Sequence, residues 1–195
     1  IRAAVAEADA YLADYVGIAL AVDGFAIEAA SGDPTVFAAA VKAARSASKK
    51  PLILIAPDPA LAKAGLEAAA GTRPLLYAAD KANWQAMAEA AKAAGAPLAL
   101  KGSSLDELAE LTASLQGAGV EDLVLDPGAA GHLDSLQQFT MLRRLAVKKS
   151  FRPLGYPLIT FPGADPAADQ TLLAAQHIAK YAGFIVLENF DPATL

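Results

Sequence analysis

The sequence predicts an α/β fold, a (β/α)8 TIM barrel that lacks its first strand in this fragment. Three observations carry that prediction. From Phe25 onward short apolar runs alternate with longer Ala-rich helical runs, the pattern of successive β-α units around a parallel sheet. The apolar runs do not alternate with polar residues: Leu52-Ile53-Leu54-Ile55 and Phe184-Ile185-Val186-Leu187 are continuous, which suits strands covered on both faces. Seven strand candidates with six helices between them and one helix in front fall one strand short of a barrel.

Taken in order, the chain opens on IRAAVAEADAYLADYVG, a helical pattern with neither an initiator Met nor a signal-peptide layout, so a fragment or mature domain is expected and the first strand would precede Ile1. Strands are expected at 25–29, 51–56, 74–79, 97–100, 123–125, 157–161 and 184–187. Several begin on proline, as in Lys50-Pro51, Arg73-Pro74, Ala96-Pro97 and Tyr156-Pro157, a position that need not donate to the ladder. Helices are expected between them, with Asn83 to Ala94 and Leu105 to Leu115 combining strong helix formers with periodic apolar positions. Asp33-Pro34 and Asp58-Pro59 place a capping oxygen before a proline at the first helical position, and Ser104 precedes Glu107 in capping-box spacing. Gly95, Gly119 and Gly183 follow helical runs, where a left-handed residue ends a helix. Gly155 reads as a turn before the next strand. A doubly wound open sheet is the competing architecture, but no Gly-x-Gly-x-x-Gly turn follows any strand.

Composition excludes several functions. With 195 residues and 55% hydrophobic content the chain is long enough to bury a sizeable core. A net charge of −5, with cations scattered along the chain, leaves no footprint for nucleic acid or an anionic membrane. The chain has no Cys, so these residues hold no disulfide, thiolate zinc site, cysteine nucleophile or cysteine-ligated cluster. A cytoplasmic location is favoured. No apolar run approaches the roughly 20 residues of a membrane-spanning helix. The two histidines, His132 and His177, read as helix-surface or capping residues and no metal site is expected.

Barrel active sites gather at the carboxyl ends of strands, which directs attention to Glu28, Asp58, Asp80, Asn83, Lys101, Asp126, Thr160 and Glu188. Asp58 is most economically a helix cap. Asp80, in YAADKAN, caps the following helix or lines the mouth. Lys101 ends a strand where a buried lysine could form a Schiff base, or is a solvated or salt-bridged lysine. Glu28 and Glu188 would serve glycoside hydrolysis only at about 5 to 9 Å separation, and the aromatic residues that line sugar clefts are scarce, with Trp84 the only Trp. Asp126, in Asp126-Pro127-Gly128, points into the mouth or ties its loop. Arg143-Arg144 and Lys148-Lys149 on one helical run read as a solvated or partner-facing stripe. No catalytic residue is assigned; Asp80, Asn83, Lys101 and Asp126 stand as candidate cofactor-binding residues of the barrel mouth.

SGDPTVF (31–37), KKPLILIAPDP (49–59), RPLLYAADKAN (73–83), DLVLDPG (122–128), LRRLAVKKSFRPLGYP (142–157) and HIAKYAG (177–183) are collinear along nearly the whole chain. Together they resemble the large, or gamma, subunit of the corrinoid iron-sulfur protein of the acetyl-CoA decarbonylase/synthase system. The resemblance implies a subunit with an N-terminal domain for a 4Fe-4S cluster, a central TIM barrel, which would be residues 1–195, and a C-terminal corrinoid (cobalamin) domain. It further implies pairing with the barrel of the small, or delta, subunit as a heterodimer. The cobalt centre would shuttle a methyl group from a methyltetrahydropterin or methyltetrahydrofolate donor, through its methyltransferase, to acetyl-CoA synthase in the carbon-fixing acetyl-CoA pathway. No family motif assigns catalytic residues to this barrel, so a scaffolding role is expected, with no cofactor held inside the fragment. Two enzyme readings compete: a pterin-binding methyltransferase-type barrel using Asp80, Asn83 and Asp126, and a lysine-dependent aldolase-like barrel built on Lys101.

Overall fold

The computed structural model describes residues 1–164, 169–188 and 190–192. In chain order the elements are α1 (Arg2–Asp9), β1 (Ala13–Tyr15), β2 (Ile18–Leu20), β3 (Phe25–Glu28), α2 (Pro34–Ala47), β4 (Leu52–Ile55), α3 (Pro59–Ala68), β5 (Leu75–Ala79), α4 (Trp84–Ala94), β6 (Leu98–Lys101), α5 (Leu105–Gly117), β7 (Leu123–Asp126), α6 (Gly131–Lys148), β8 (Ile159–Thr160), α7 (Gln170–Ala179) and β9 (Phe184–Ile185), with short 3-10 turns at Arg152–Leu154 and Pro162–Ala164. Each of the seven expected strands is present within its expected range or one residue beyond it. The chain forms two compact units: Ile1–Ala78 with Glu89–Pro97, and Ala79–Ala88 with Leu98–Leu195.

In the first unit β3 and β4 are parallel, from Phe25 opposite Leu52 to Glu28 opposite Ile55, and β5 joins β4 with Ile53 opposite Leu75. Leu54 and Leu76 are fully buried, and no residue of β4 is exposed, which is why its sequence is an unbroken apolar run. Phe37, Val41 and Ala44 form the buried stripe of α2, at spacings of four and three residues. Opposite them α3 presents Gly65: a Cβ built there would lie 2.5 Å from Phe37 Cε1 and 3.3 Å from Leu54 Cδ1. The missing side chain is therefore filled by the ring of Phe37.

Both expected Asp-Pro starts cap their helices. Asp33 Oδ1 accepts from the amides of Thr35 at 2.7 Å and Val36 at 3.3 Å. Asp58 Oδ1 accepts from Ala60 N at 2.7 Å. Asp58→Ala strands that amide and is expected to lower stability by about 1 kcal/mol, whereas Asp58→Ser, which keeps an acceptor, is expected to cost a small fraction of that. Urea denaturation of the two variants checks it; equal losses would remove the capping role.

The opening segment differs from the helix expected over 1–17. The helix stops at Asp9, and β1 and β2 form an antiparallel hairpin, Ala13 opposite Leu20 and Tyr15 opposite Ile18. Val16 and Gly17 turn the chain with φ of 54° and 80°, and Asp14 Oδ1 accepts from Gly17 N at 2.8 Å. Two positive-φ residues match the twist of a two-residue hairpin. Alanines at helical spacing conceal the turn in the sequence, because Val is an unusual residue to adopt a left-handed backbone. The end of α1 is fastened instead by Asp9, whose carboxylate accepts from Ser48 Oγ at 2.7 Å and pairs with Lys50 Nζ at 3.3 Å.

In the second unit β6 and β7 are parallel, Leu98 opposite Leu123 through Lys101 opposite Asp126, and β8 and β9 pair in parallel, Ile159 opposite Phe184. Met87, Leu98, Leu100, Leu108, Leu115, Leu125, Phe139, Leu154 and Ile159 are its largest fully buried side chains. Gly95 and Gly119 end helices with φ of 61° and 82°, as expected. Gly183 does not: the left-handed residue after α7 is Tyr181, at φ 69°.

Candidate functional site

Asp80, Asn83, Lys101 and Asp126 all belong to the second unit, at or just beyond strand ends. Their side chains meet different surroundings. Lys101 and Asp126 are register partners on β6 and β7, and Gly102 N extends the pairing by donating to Asp126 O at 3.1 Å. Asp126 is only 5% exposed, and its Oδ1 accepts from Gly128 N at 2.8 Å. Of the two readings of this carboxylate the loop-tying one has direct geometry. Gly128 has φ 66°, and a Cβ there would sit 3.1 Å from the carbonyl oxygen of Gly102, so the turn lies close against the neighbouring loop. Lys101 is exposed. The burial on which a carbonyl-trapping lysine depends is absent at its position.

Asp80 and Asn83 clasp each other across the start of α4. Asp80 Oδ1 accepts from Ala82 N at 2.8 Å and Asn83 N at 3.0 Å, while Asn83 Oδ1 accepts from Asp80 N at 2.8 Å. This is a reciprocal cap, with side chain and backbone exchanged in both directions. Ser104 and Glu107 do the same at α5 with one change. Ser104 Oγ accepts from Glu107 N at 3.2 Å, but the Glu107 carboxylate reaches one residue further back than a capping box requires, to Ser103 N at 2.9 Å and Ser103 Oγ. The Ser103 hydroxyl and then its amide hold the Glu107 carboxyl below its ordinary pKa, with Lys81 adding a smaller attraction.

The remaining strand-end residues are dispersed. Thr160 is buried, with Oγ1 3.4 Å from Phe184 O. Glu188 is exposed, and its amide donates to Gln170 Oε1 at 3.1 Å. Glu28 is exposed in the first unit. Among the described residues no group of three or more His, Cys, Asp or Glu is arranged to hold a metal ion.

His177, unlike His132, departs from the helix-surface or capping expectation. His177 is only 2% exposed, and neither ring nitrogen has a hydrogen-bond partner. Its ring meets Phe139 of α6 edge-on, with centroids 4.9 Å apart at 64°. Beside it Gln176 Nε2 donates to His132 O at 2.9 Å and Ser135 Oγ at 2.8 Å, and further along the seam Arg143 lies over the Tyr181 ring at 4.6 Å. Burial, with a smaller contribution from His132, pushes the His177 pKa below its ordinary value of 6.5. The sequence signal existed in the spacing of Leu173 and His177, four residues apart on one helix face, but polarity argued for the surface.

Comparison with known proteins adds to this geometry. A family model described as CO dehydrogenase/acetyl-CoA synthase delta subunit matches residues 1–195. The chain is 42% identical over 176 residues to the corrinoid/iron-sulfur protein large subunit of Moorella thermoacetica, covering 90% of this chain and 40% of that protein. It is 37% identical over 193 residues to acetyl-CoA decarbonylase/synthase complex subunit gamma 1 of Methanosarcina mazei, covering 91% of this chain and 41% of that one. The chain thus spans about two fifths of these relatives' length. The family description names a delta subunit and the relatives are large or gamma subunits; pairwise identity and the collinear motifs both side with the large, or gamma, chain. Among solved structures, dihydropteroate synthase of Thermus thermophilus matches with a TM-score of 0.64 at 17% identity, covering 86% of this chain and 78% of that one. That enzyme is a TIM barrel, so the α/β barrel fold class expected from the alternating runs is the one found.

Proposed function

The chain belongs to the family described as CO dehydrogenase/acetyl-CoA synthase delta subunit, and from that premise we propose that it is the barrel scaffold of a corrinoid iron-sulfur protein. In this reading the whole protein carries a methyl group from a methyltetrahydropterin or methyltetrahydrofolate donor to acetyl-CoA synthase. The observation that carries the reading is the family match along residues 1–195 together with relatives that are more than twice as long. That extra length accommodates an iron-sulfur domain upstream and a corrinoid domain downstream. The cluster does not fit these residues: Cys thiolates hold such clusters, and the chain has none. The barrel of the small, or delta, subunit is the proposed partner, forming a heterodimer in the cytoplasm. Among the described residues no helix is long and apolar enough to cross a membrane.

The side chains at the strand ends support a scaffold. Asp80 and Asn83 cap α4, and Asp126 ties the turn after β7. A pterin-binding active site would draw on these same groups, and the likeness to dihydropteroate synthase concerns fold alone. The aldolase reading rests on Lys101, whose exposure weakens it.

In the intact carrier, Lys101→Gln and Asp80→Ser, the latter retaining a capping acceptor, are expected to leave methylation and demethylation rates within about twofold of the parent, or about 0.4 kcal/mol. A loss of about tenfold or more in either rate, with subunit assembly unchanged, would put the chemistry in this barrel and end the scaffold reading. Stopped-flow absorbance of the corrinoid reads both rates.

A further inference from the structure

Between Ser135 and Ala164 the sequence places Arg143, Arg144, Lys148, Lys149 and Arg152 and no Asp or Glu, in a chain with 21 acidic residues against 16 Lys and Arg overall. All five cations are exposed. None of them has a carboxylate within ion-pairing distance among the described residues; Arg143 alone has a partner, the Tyr181 ring. The helix dipole favours cations in a last turn, as with Arg45 of α2 and Lys92 of α4, and so accounts for Lys148 and Lys149 but not for Arg143, Arg144 and Arg152.

Apolar groups are interleaved with these cations. Met141, Arg144, Val147 and Lys148, three and four residues apart, lie side by side on the solvent face of α6, while Ser135, Phe139 and Leu142 take the buried face. Met141 and Val147 are 51% and 58% exposed, and Phe151, just past the helix, is 42% exposed. A face that mixes unpaired cations with bare apolar side chains differs from a solvated lysine stripe, which carries no apolar component.

Where this face ends there is a cavity of about 410 Å³ lined by Gln116, Ala146, Ser150, Arg152, Gly155 and Tyr156. Its polar groups are mostly donors. Gln116 Nε2 donates to Tyr156 Oη at 2.6 Å, which leaves the Tyr156 hydroxyl proton to give elsewhere. The Ser150 hydroxyl and the Arg152 guanidinium, whose planar fork matches a carboxylate, complete the set. Among the described residues no carboxylate lines the cavity.

We propose that the solvent face of the second half of α6 and the turn after it dock an acidic, partly apolar segment of a partner protein, with one of its carboxylates seated in the Arg152 cavity. The cations match the partner's acidic groups, and Met141, Val147 and Phe151 match its apolar ones. A polyanion such as nucleic acid extends far beyond this patch and meets a chain of net charge −5, whereas a short acidic segment senses only charges within about 10 Å. The assignment stands apart from the scaffold reading and needs no particular family.

Fluorescence anisotropy on the intact protein tests it, with a fluorescein-labelled short peptide of alternating glutamate and leucine as probe. Binding that weakens with salt is expected, with Arg152→Gln and the pair Arg144→Gln, Lys148→Gln each reducing affinity by about tenfold or more. Lys63→Gln, at an exposed lysine on α3, is expected to change nothing, and a glutamine-leucine peptide is expected not to bind. Any of three results would overturn the proposal: no binding at about 1 mM peptide, equal affinity for parent and Arg152→Gln, or tighter Arg152-dependent binding of single-stranded DNA or phosphatidylserine vesicles than of the peptide.

Discussion

Phe139→Ala is expected to destabilise the protein by about 3 to 5 kcal/mol, the largest loss anticipated for any single truncation considered. The ring is fully buried on α6 and meets the His177 ring edge-on at 4.9 Å. Its removal deletes the apolar contact and opens a void beside an imidazole that has no hydrogen-bond partner. The surroundings do not collapse readily, because Gln176 fixes α7 to His132 and Ser135 on α6. Phe139→Leu, which keeps most of the volume, is expected to lose less than half as much, about 1 to 2 kcal/mol. Urea midpoints at neutral pH measure both, and amide exchange in α7 is expected to accelerate in step. A loss below about 1 kcal/mol for the alanine variant would show that the seam does not depend on the ring.

Stability is expected to fall as pH drops below about 6.5, and His177 is the cause. Burial holds its folded-state pKa below 6.5, the ordinary value to which it returns on unfolding. Above 6.5 both states are neutral at this ring and the contribution is complete. As pH falls through 6.5 the unfolded chain takes up a proton that the folded chain refuses, so stability declines with a slope approaching about 1.4 kcal/mol per pH unit until the folded pKa is reached. Charged groups around the ring do not offset this: the facing residue of α6 is Phe139, and His132 contributes repulsion. Asp9, held low chiefly by the Ser48 hydroxyl, and Glu107, held low by Ser103, also have depressed values and also lose their contributions in acid. Their window starts at the ordinary carboxyl values of 3.8 and 4.5, so the range from about 6.5 to 4.5 isolates the imidazole. His177→Leu is expected to flatten the slope there. An unchanged slope in that variant would assign the acid sensitivity elsewhere.

Strand positions were legible because burial on both faces leaves continuous apolar runs such as Leu52 to Ile55, and helix starts because Asp-Pro pairs have few other uses. Asp58 was readable as a cap for the same reason. Asp80 was open between cap and mouth, since a carboxylate two or three residues before a helix serves either, and only the amides it accepts from distinguish them. Asp126 was open in the same way until the Gly128 amide was placed. Tertiary packing hid the rest. His177 is buried because of what α6 brings to it; the spacing of Leu173 and His177 on α7 puts the two on one face without saying what that face meets. The hairpin after α1 depends on Val16 accepting a backbone that its own chemistry disfavours. Tyr181, not Gly183, turns the chain after α7, with the Arg143 guanidinium over its ring.

The seating of Phe37 against Gly65 has a mechanical side. A flat ring lodged over a bare Cα acts as a detent: neither α2 nor α3 slides along or rolls across the other unless the ring first lifts out of its notch. Thermal motion is thus channelled into the pair travelling as one plate, and breathing of the first unit is to be sought at the edges of that plate, not along the line where its two helices join.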